Sequence, residues 1–319
     1  MRLGFAVKVL GKEGIKSSDA RRWQNSPHLK FSIEYAHIVF DYLEATGITM
    51  YRLPSDFAPY LTHPDLPQFH NQLEEAHDEL VELGKHAQKL NLRLSFHPSQ
   101  YILLNSPNEK LTEGSIREFV AASTMLDIMG CGSEAVVVTH VGGVYGDRDG
   151  SIARFIKHYN ERLPEVAKKR LVLENDDKSY GVADTLRIHK STGVRLIFDH
   201  QHHSCINNGE MTHEEACCAS LKTWGTNGRP KIHFSSPRIE NRTIMRRDKE
   251  TGKRKASECA PLMSQHADMV DSDVFVPFAR SVRELCGIEF DVMCEAKSKD
   301  LAVLQLREDL QKAGDFVVE

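Results

Sequence analysis

A chain of 319 residues and 36.1 kDa is long enough for one large domain or two ordinary ones, and it buries a sizeable core without covalent staples. With 40% hydrophobic and 27% charged residues and a mean hydropathy of -0.41, the composition is globular and excludes disordered and fibrous chains. A net charge of -4, counted with histidines neutral, is unfavourable for binding nucleic acid unless several carboxylates hold cations that reverse their local sign.

In chain order, short β-branched runs alternate with longer amphipathic stretches. Strands are predicted at Leu3 to Val7, Ile48 to Leu53, Leu92 to His97, Ala135 to His140, Leu171 to Glu174, Val194 to Asp199, Lys231 to Ser235 and Phe290 to Glu295. Helical patterns between them run over Ser32 to Ala45, Gln72 to Leu90, Ser115 to Met129, Val182 to Lys190, His213 to Thr223, Ser272 to Leu285 and Asp300 to Ala313. This alternation, in a chain somewhat above the roughly 250 residues typical of the fold, predicts a single (β/α)8 TIM barrel over residues 1–319. A doubly wound sheet would need a glycine-rich phosphate turn after the first strand, and GFAVKVLGKEG supplies none.

Pro237 to Ala260 departs from the alternation, carrying Arg246, Arg247, Lys249, Lys253, Arg254 and Lys255 between the seventh strand and its helix. A polar, charged insertion of this kind reads as a solvated loop. No apolar run reaches the roughly 18 residues of a membrane span, and the opening MRLGFAVKVLGKEG is too short an apolar stretch for a secretory signal. A cytoplasmic protein (nuclear, in a eukaryote) with no membrane partner is therefore expected. Seven cysteines without C-x-x-C spacing read as reduced and mostly buried.

Chemistry in such a barrel collects at the carboxyl ends of the strands. Here strand three ends in His97, strand four in His140, strand five in Glu174, strand six in Asp199 with His202 beyond it, strand seven in His233 and strand eight in Glu295, while His266 follows the insertion. Period two puts Lys231, His233 and Ser235 on one face and turns Cys294 away from the face of Glu295. Imidazoles and carboxylates without a thiolate suit manganese, zinc, cobalt or magnesium. A divalent ion with open positions takes about three protein ligands, so eight candidates imply two or three ions sharing a carboxylate, with Glu174 expected at the bridge. Such ions, roughly 3.5–4 Å apart, activate a shared water and clamp both oxygens of an in-line phosphoryl displacement, which is the chemistry of phosphodiester hydrolysis. His37, His70, His77 and His86 fall in helical stretches and read as surface or core residues.

With these residues in view, the sequence resembles the UV-damage endonucleases, DNA repair nucleases related to endonuclease-IV-type abasic-site enzymes. The motifs are YRLPSDFAPYLTHP (51–64), LSFHPSQYILLNSP (94–107), VVVTHVGGVYGDR (136–148), LVLENDD (171–177), LIFDHQHH (196–203), RPKIHFSS (229–236), QHADMV (265–270) and DVMCEAKSKD (291–300). The resemblance implies a barrel with two or three divalent ions, commonly manganese, no organic cofactor, and a groove for bent, damaged duplex DNA. It further implies His97, His140 and Glu174 around one ion, Glu174, Asp199, His233 and Glu295 around a second, and His202 and His266 at a third, and it selects His202 over its neighbours His200 and His203. Lys231 matches a lysine that can be carboxylated, and His63 a substrate-side histidine. Gln100 and Tyr101 match a pair wedged into the duplex at the lesion. Phe5 stands where the family often has a tyrosine, so it is expected near the lesion without the hydroxyl. The expected activity is incision 5′ to UV photoproducts, with abasic sites as further substrates, leaving a 3′-hydroxyl and a 5′-phosphate, by a monomer working on the nucleoid. Arg246, Arg247, Lys253, Arg254 and Lys255 are expected on phosphates outside the lesion. The rivals are a xylose-isomerase-like, metal-dependent sugar isomerase or epimerase, which needs fewer ions, and a non-catalytic damage binder.

Overall fold

The computed structural model describes residues 1–207, 209, 211–247, 251–314 and 316–319, with backbone alone at Arg242, Ile244 and Arg246. Each predicted strand forms: β1 (Leu3–Ala6), β2 (Met50–Arg52), β3 (Arg93–Phe96), β4 (Val136–His140), β5 (Leu171–Glu174), β6 (Arg195–Ile197), β7 (Lys231–Phe234) and, after a two-stranded excursion β8 (Arg242–Arg247) and β9 (Arg254–Cys259), β10 (Asp291–Cys294). The parallel sheet runs β6-β5-β4-β3-β2-β1-β10-β7. A parallel bridge between Asp199 and His233, with the His233 amide donating to the Phe198 carbonyl at 2.9 Å, joins its two edges and closes the ring. This is the (β/α)8 barrel expected from the alternation.

Both faces of a parallel barrel strand are covered, so apolar residues occupy both, and the two faces differ by what covers them. Leu3, Phe5, Leu94, Phe96, Val137, Leu171, Leu173, Phe234 and Cys294 belong to the large core between strands and helices. Val136, Val138, Val172 and Ile197 form a second, interior cluster with Trp224. Period two then dictates what stands above each interior residue: His140 continues the column of Val136 and Val138, Glu174 that of Val172, and Asp199 that of Ile197. The strand-end chemistry is thus the top layer of the barrel interior.

Three helices escape the sequence pattern: Arg148–Glu161, Glu165–Lys168 and His200–Cys205. The predicted helix over Gln72 to Leu90 divides at Ala76 into Gln72–Glu75 and His77–Lys89. The insertion is not a loop, as expected, but an antiparallel hairpin in which β8 and β9 pair from Arg242 with Cys259 to Arg247 with Arg254. All seven cysteines are free thiols, three buried and four half-buried. Among the described residues no helix is long and apolar enough to cross a membrane.

Candidate metal centre and its groove

Glu174 is the hub of the barrel mouth. It is 1% exposed, and its two oxygens face different partners: Oε2 lies 3.1 Å from His97 Nε2 and 3.6 Å from His140 Nε2, while Oε1 lies 2.8 Å from His233 Nδ1 and 3.6 Å from His202 Nδ1. Asp199, fully buried, completes a second group. Among the described residues, two sets each bring three ligand atoms within 4.8 Å of one another, His97 with His140 and Glu174, and Glu174 with Asp199 and His233. The sets share Glu174, the arrangement of a bridging carboxylate.

Glu295 stands beside the second set, 3.4 Å from His233, with its Oε1 2.5 Å from Arg52 Nη1. His202 and His266 sit at the rim with ring centroids 6.4 Å apart, and His266 Nε2 lies 4.0 Å from Glu295. Among the described residues these two histidines form no third group as tight as the other two. One helical turn sets His202 apart from its neighbours. Asp199 caps the helix His200–Cys205 by accepting from the His202 amide, which turns the His202 ring to Glu174 while His200 and His203 pack on Phe198 and His213.

Several buried polar atoms here have no partner: His140 Nδ1, Asp199 Oδ2, His233 Nε2 and Lys231 Nζ. Buried polar groups are nearly always satisfied, so this concentration of orphans, with imidazole and carboxylate donors and no thiolate, fits hard-to-borderline divalent ions. The electrostatics agree. Burial alone would raise the Glu174 carboxyl, yet His233 and His140 hold it well below the usual range, and Arg52 and His233 do the same for Glu295. Burial pushes Asp199 up to about 6, against His202 and with Glu174 and Glu295 adding to the rise. Burial lowers His202, but Asp199, Glu174 and Glu295 carry it up to about 10. His97, by contrast, is pushed down to about 4 by burial. Glu174 and Glu295 thereby keep negative charge on the floor of the mouth.

Lys231 lies directly below, fully buried and two residues before His233 on the same inner column. Burial, with Arg93 and Arg52 nearby, holds its ammonium well below the usual range. Two residues that sequence reasoning passed over also shape the site. Arg52 ends β2 on the inner face and grips Glu295; its signal was the inward parity it shares with Met50. Asn175 exchanges two hydrogen bonds with the Asp199 backbone at 2.9 and 3.0 Å, and its carbonyl lies 2.9 Å from His202 Nδ1. Val7, just after β1, takes φ 65, a costly value for a β-branched residue, and lines the cavity over the cluster.

That cavity, about 250 Å³, opens beside a larger groove of about 520 Å³, and Ser55 walls both. The groove holds His63, exposed and outside the ligand cluster, and Tyr101, 76% exposed on the loop after β3 next to exposed Gln100. Phe5 corrects the expectation. Its parity is that of Leu3, so it faces the helices, is 0% exposed and packs edge-on against Tyr51 at 5.4 Å, which leaves it no surface to present to DNA. On the hairpin, Arg247, Lys253, Arg254 and Lys255 are exposed, whereas Lys249 and the side chain of Arg246 lie outside the described residues. His37, His70, His77 and His86 stay outside the cluster: His37 stacks on His86, His70 bonds the His63 carbonyl and His77 meets Asp78.

The chain resembles known proteins along nearly its whole length. The family described as UV-endonuclease UvdE matches residues 30–317. A UV DNA damage endonuclease of Bacillus velezensis is 33% identical over 270 residues, covering 84% of this chain and 77% of that protein. The crystal structure of SacUVDE superposes with a TM-score of 0.81 at 28% identity, covering 99% of this chain and 100% of that one. A D-psicose 3-epimerase crystallised with D-fructose, at TM-score 0.57, 12% identity and 98% coverage of both chains, shares the fold alone. A family match that begins at residue 30 and runs through every candidate ligand, together with 33% identity to a UV DNA damage endonuclease over 84% of the chain, makes this chain a member of the UV-endonuclease family.

Proposed function

We propose that the chain is a metal-dependent DNA repair endonuclease in which residues 1–319 act as one nuclease domain, incising duplex DNA 5′ to UV photoproducts, and at abasic sites, to leave a 3′-hydroxyl and a 5′-phosphate. The observation that carries this reading is the shared carboxylate Glu174 between two three-ligand groups at the mouth of the barrel. Two or three divalent ions are proposed, manganese first among manganese, zinc, cobalt and magnesium: one on His97, His140 and Glu174, one on Glu174, Asp199, His233 and Glu295, and a third on His202 and His266. When bound, they supply the Lewis-acid charge that activates water and stabilises a departing 3′ oxygen.

The chain's own groups do the positioning. Arg52 fixes the Glu295 carboxylate and Asn175 fixes the Asp199 backbone, so neither acid has to reorganise when a phosphate arrives. Lys231 is proposed as a carboxylation site: its neutral amine adds carbon dioxide and loses a proton, placing an anion under the metal floor. Protein loaded with 13C-bicarbonate should then show a carbamate carbonyl resonance that is absent from Lys231→Arg. His63 is proposed to face the substrate from the neighbouring groove.

Gln100 and Tyr101 are proposed to enter the duplex where stacking is already weakened, which lets one site accept chemically different lesions. Stacking on an aromatic side chain is worth about 1–3 kcal/mol per base, so Tyr101→Ala is expected to weaken binding to a photoproduct duplex by about 5- to 150-fold, and to undamaged duplex far less. Equal losses on both duplexes would leave Tyr101 as a general contact. The protein is proposed to act as a monomer, without organic cofactor, in the cytoplasm at the nucleoid. The decisive experiment incubates end-labelled UV-irradiated and undamaged duplexes with the protein and manganese and maps the cut. Cleavage confined to the irradiated strand, one linkage 5′ to the lesion, is expected; sugar turnover without cleavage would establish the epimerase reading instead.

A further inference from the structure

The hairpin β8–β9 is rooted in the metal centre. Pro237, at its base, bridges to His266; the Ala267 amide donates to the Ser236 carbonyl at 2.8 Å and the Arg238 amide to the Gln265 carbonyl at 2.7 Å. Ser235 Oγ in turn meets both His266 and Gln201. The stem is therefore fixed relative to the rim histidine, and what it carries outward is held in a defined place.

At the far end the register places Arg247 directly opposite Arg254. Like charges on facing residues of an antiparallel pair destabilise it. Among the described residues, Lys253, Arg254 and Lys255 form no ion pair, and Arg247 Nε donates to the Gly252 carbonyl at 2.9 Å. Consecutive strand residues point to opposite faces, so Arg254 and Lys255 put cations on both sides of the ribbon. Facing cations of this kind are relieved when the ribbon lies among phosphates.

Length sets the place. Six-residue strands extend about 20 Å, and one strand of duplex DNA advances about 3.4 Å per nucleotide, so the basic end stands about six nucleotides from the stem. We infer that the β8–β9 hairpin is a phosphate-binding arm that grips undamaged duplex about six nucleotides to one side of the incision site, through Arg247, Lys253, Arg254 and Lys255. The inference rests on the nuclease reading and specifies where along the substrate that reading extends.

The test uses full-length protein and a long duplex with one defined photoproduct. Replacing Arg247, Lys253, Arg254 and Lys255 together by serine should weaken binding about 10- to 100-fold and flatten the slope of log K against log salt by about 2–4. Duplexes are then cut back to about four base pairs on one side of the lesion or on the other. On one of the two, parent and variant should bind equally, because the DNA beneath the arm is gone. The pair Arg254→Ser with Lys255→Ser, at an unchanged melting temperature, should show an intermediate loss, which excludes a misfolded hairpin as the cause. Equal salt slopes for parent and variant overturn the inference, as does a deficit that persists undiminished on both shortened duplexes. Failure of the parent to bind or incise the long duplex brings down the nuclease reading itself, and the arm with it; a parent that incises normally beside an unimpaired variant removes the arm alone.

Discussion

Glu174→Gln is expected to lower the single-turnover incision rate by about three orders of magnitude while changing the affinity for damaged duplex by less than about threefold. The asymmetry follows from what the carboxylate touches. Its oxygens face four imidazoles, His97 and His140 on one side and His202 and His233 on the other, and neither is open to solvent. An amide keeps the shape but halves the acceptors, removes the charge and turns an N–H toward one ligand group. Divalent ions act on charge that develops in the transition state, a contribution of several kcal/mol at about 1.4 kcal/mol per tenfold in rate. Binding is proposed to rest on Gln100, Tyr101 and the hairpin, none of which touches Glu174. Metal content measured on the same preparation should fall by about one ion per chain. A variant that keeps both its metal and its rate would remove Glu174 from the bridge.

The ring of strands was legible because it depends on a local rule. Period two marks the inner face of each strand, so His97, His140, Glu174, Asp199, His233 and Glu295 could be placed at one mouth from their positions alone. Other features depend on partners distant in sequence. Arg52 obeys the same parity, but its role appears only with Glu295, 243 positions away. Phe5 was drawn to the lesion side by a resemblance that its parity opposed, and parity prevailed. Helix starts were missed where capping outweighs hydrophobic period: Asp147 accepts from the Gly150 amide and Asn108 from those of Lys110 and Leu111, beginning helices in stretches whose apolar pattern is weak. The hairpin was unreadable for the same reason that makes it informative, since charged residues in facing strands contradict the usual preferences of a sheet.

Asp291→Ala is expected to destabilise the fold by about 3–5 kcal/mol while leaving the metal ligands unchanged. Asp291 opens β10 on the same inner column as Met293 and Glu295, at the opposite end of the barrel. Its carboxylate, 0% exposed, accepts from Arg93 Nη1 at 2.7 Å and from the Arg2 amide at 2.8 Å, with Arg229 Nη1 at 3.4 Å. Arg93 is itself 4% exposed, and its guanidinium lies 5.6 Å from the ring of Trp224, whose indole N–H donates to the Leu196 carbonyl at 2.7 Å. Removing the carboxylate strands a buried guanidinium, and the cost is that of an uncompensated charge rather than of one lost contact. Two comparisons separate this from a cavity effect. Asp291→Asn, which keeps the volume and some hydrogen bonding, should lose nearly as much because the charge is gone. Asp291→Leu combined with Arg93→Met, which removes both charges, should recover much of the loss in urea unfolding. Residues at the bottom of a barrel answer to stability and those at the top to chemistry. Metal content per folded chain in Asp291→Ala should therefore equal that of the parent at temperatures where both are folded, and a fall in metal content without a fall in stability would show that the two ends of the column are coupled.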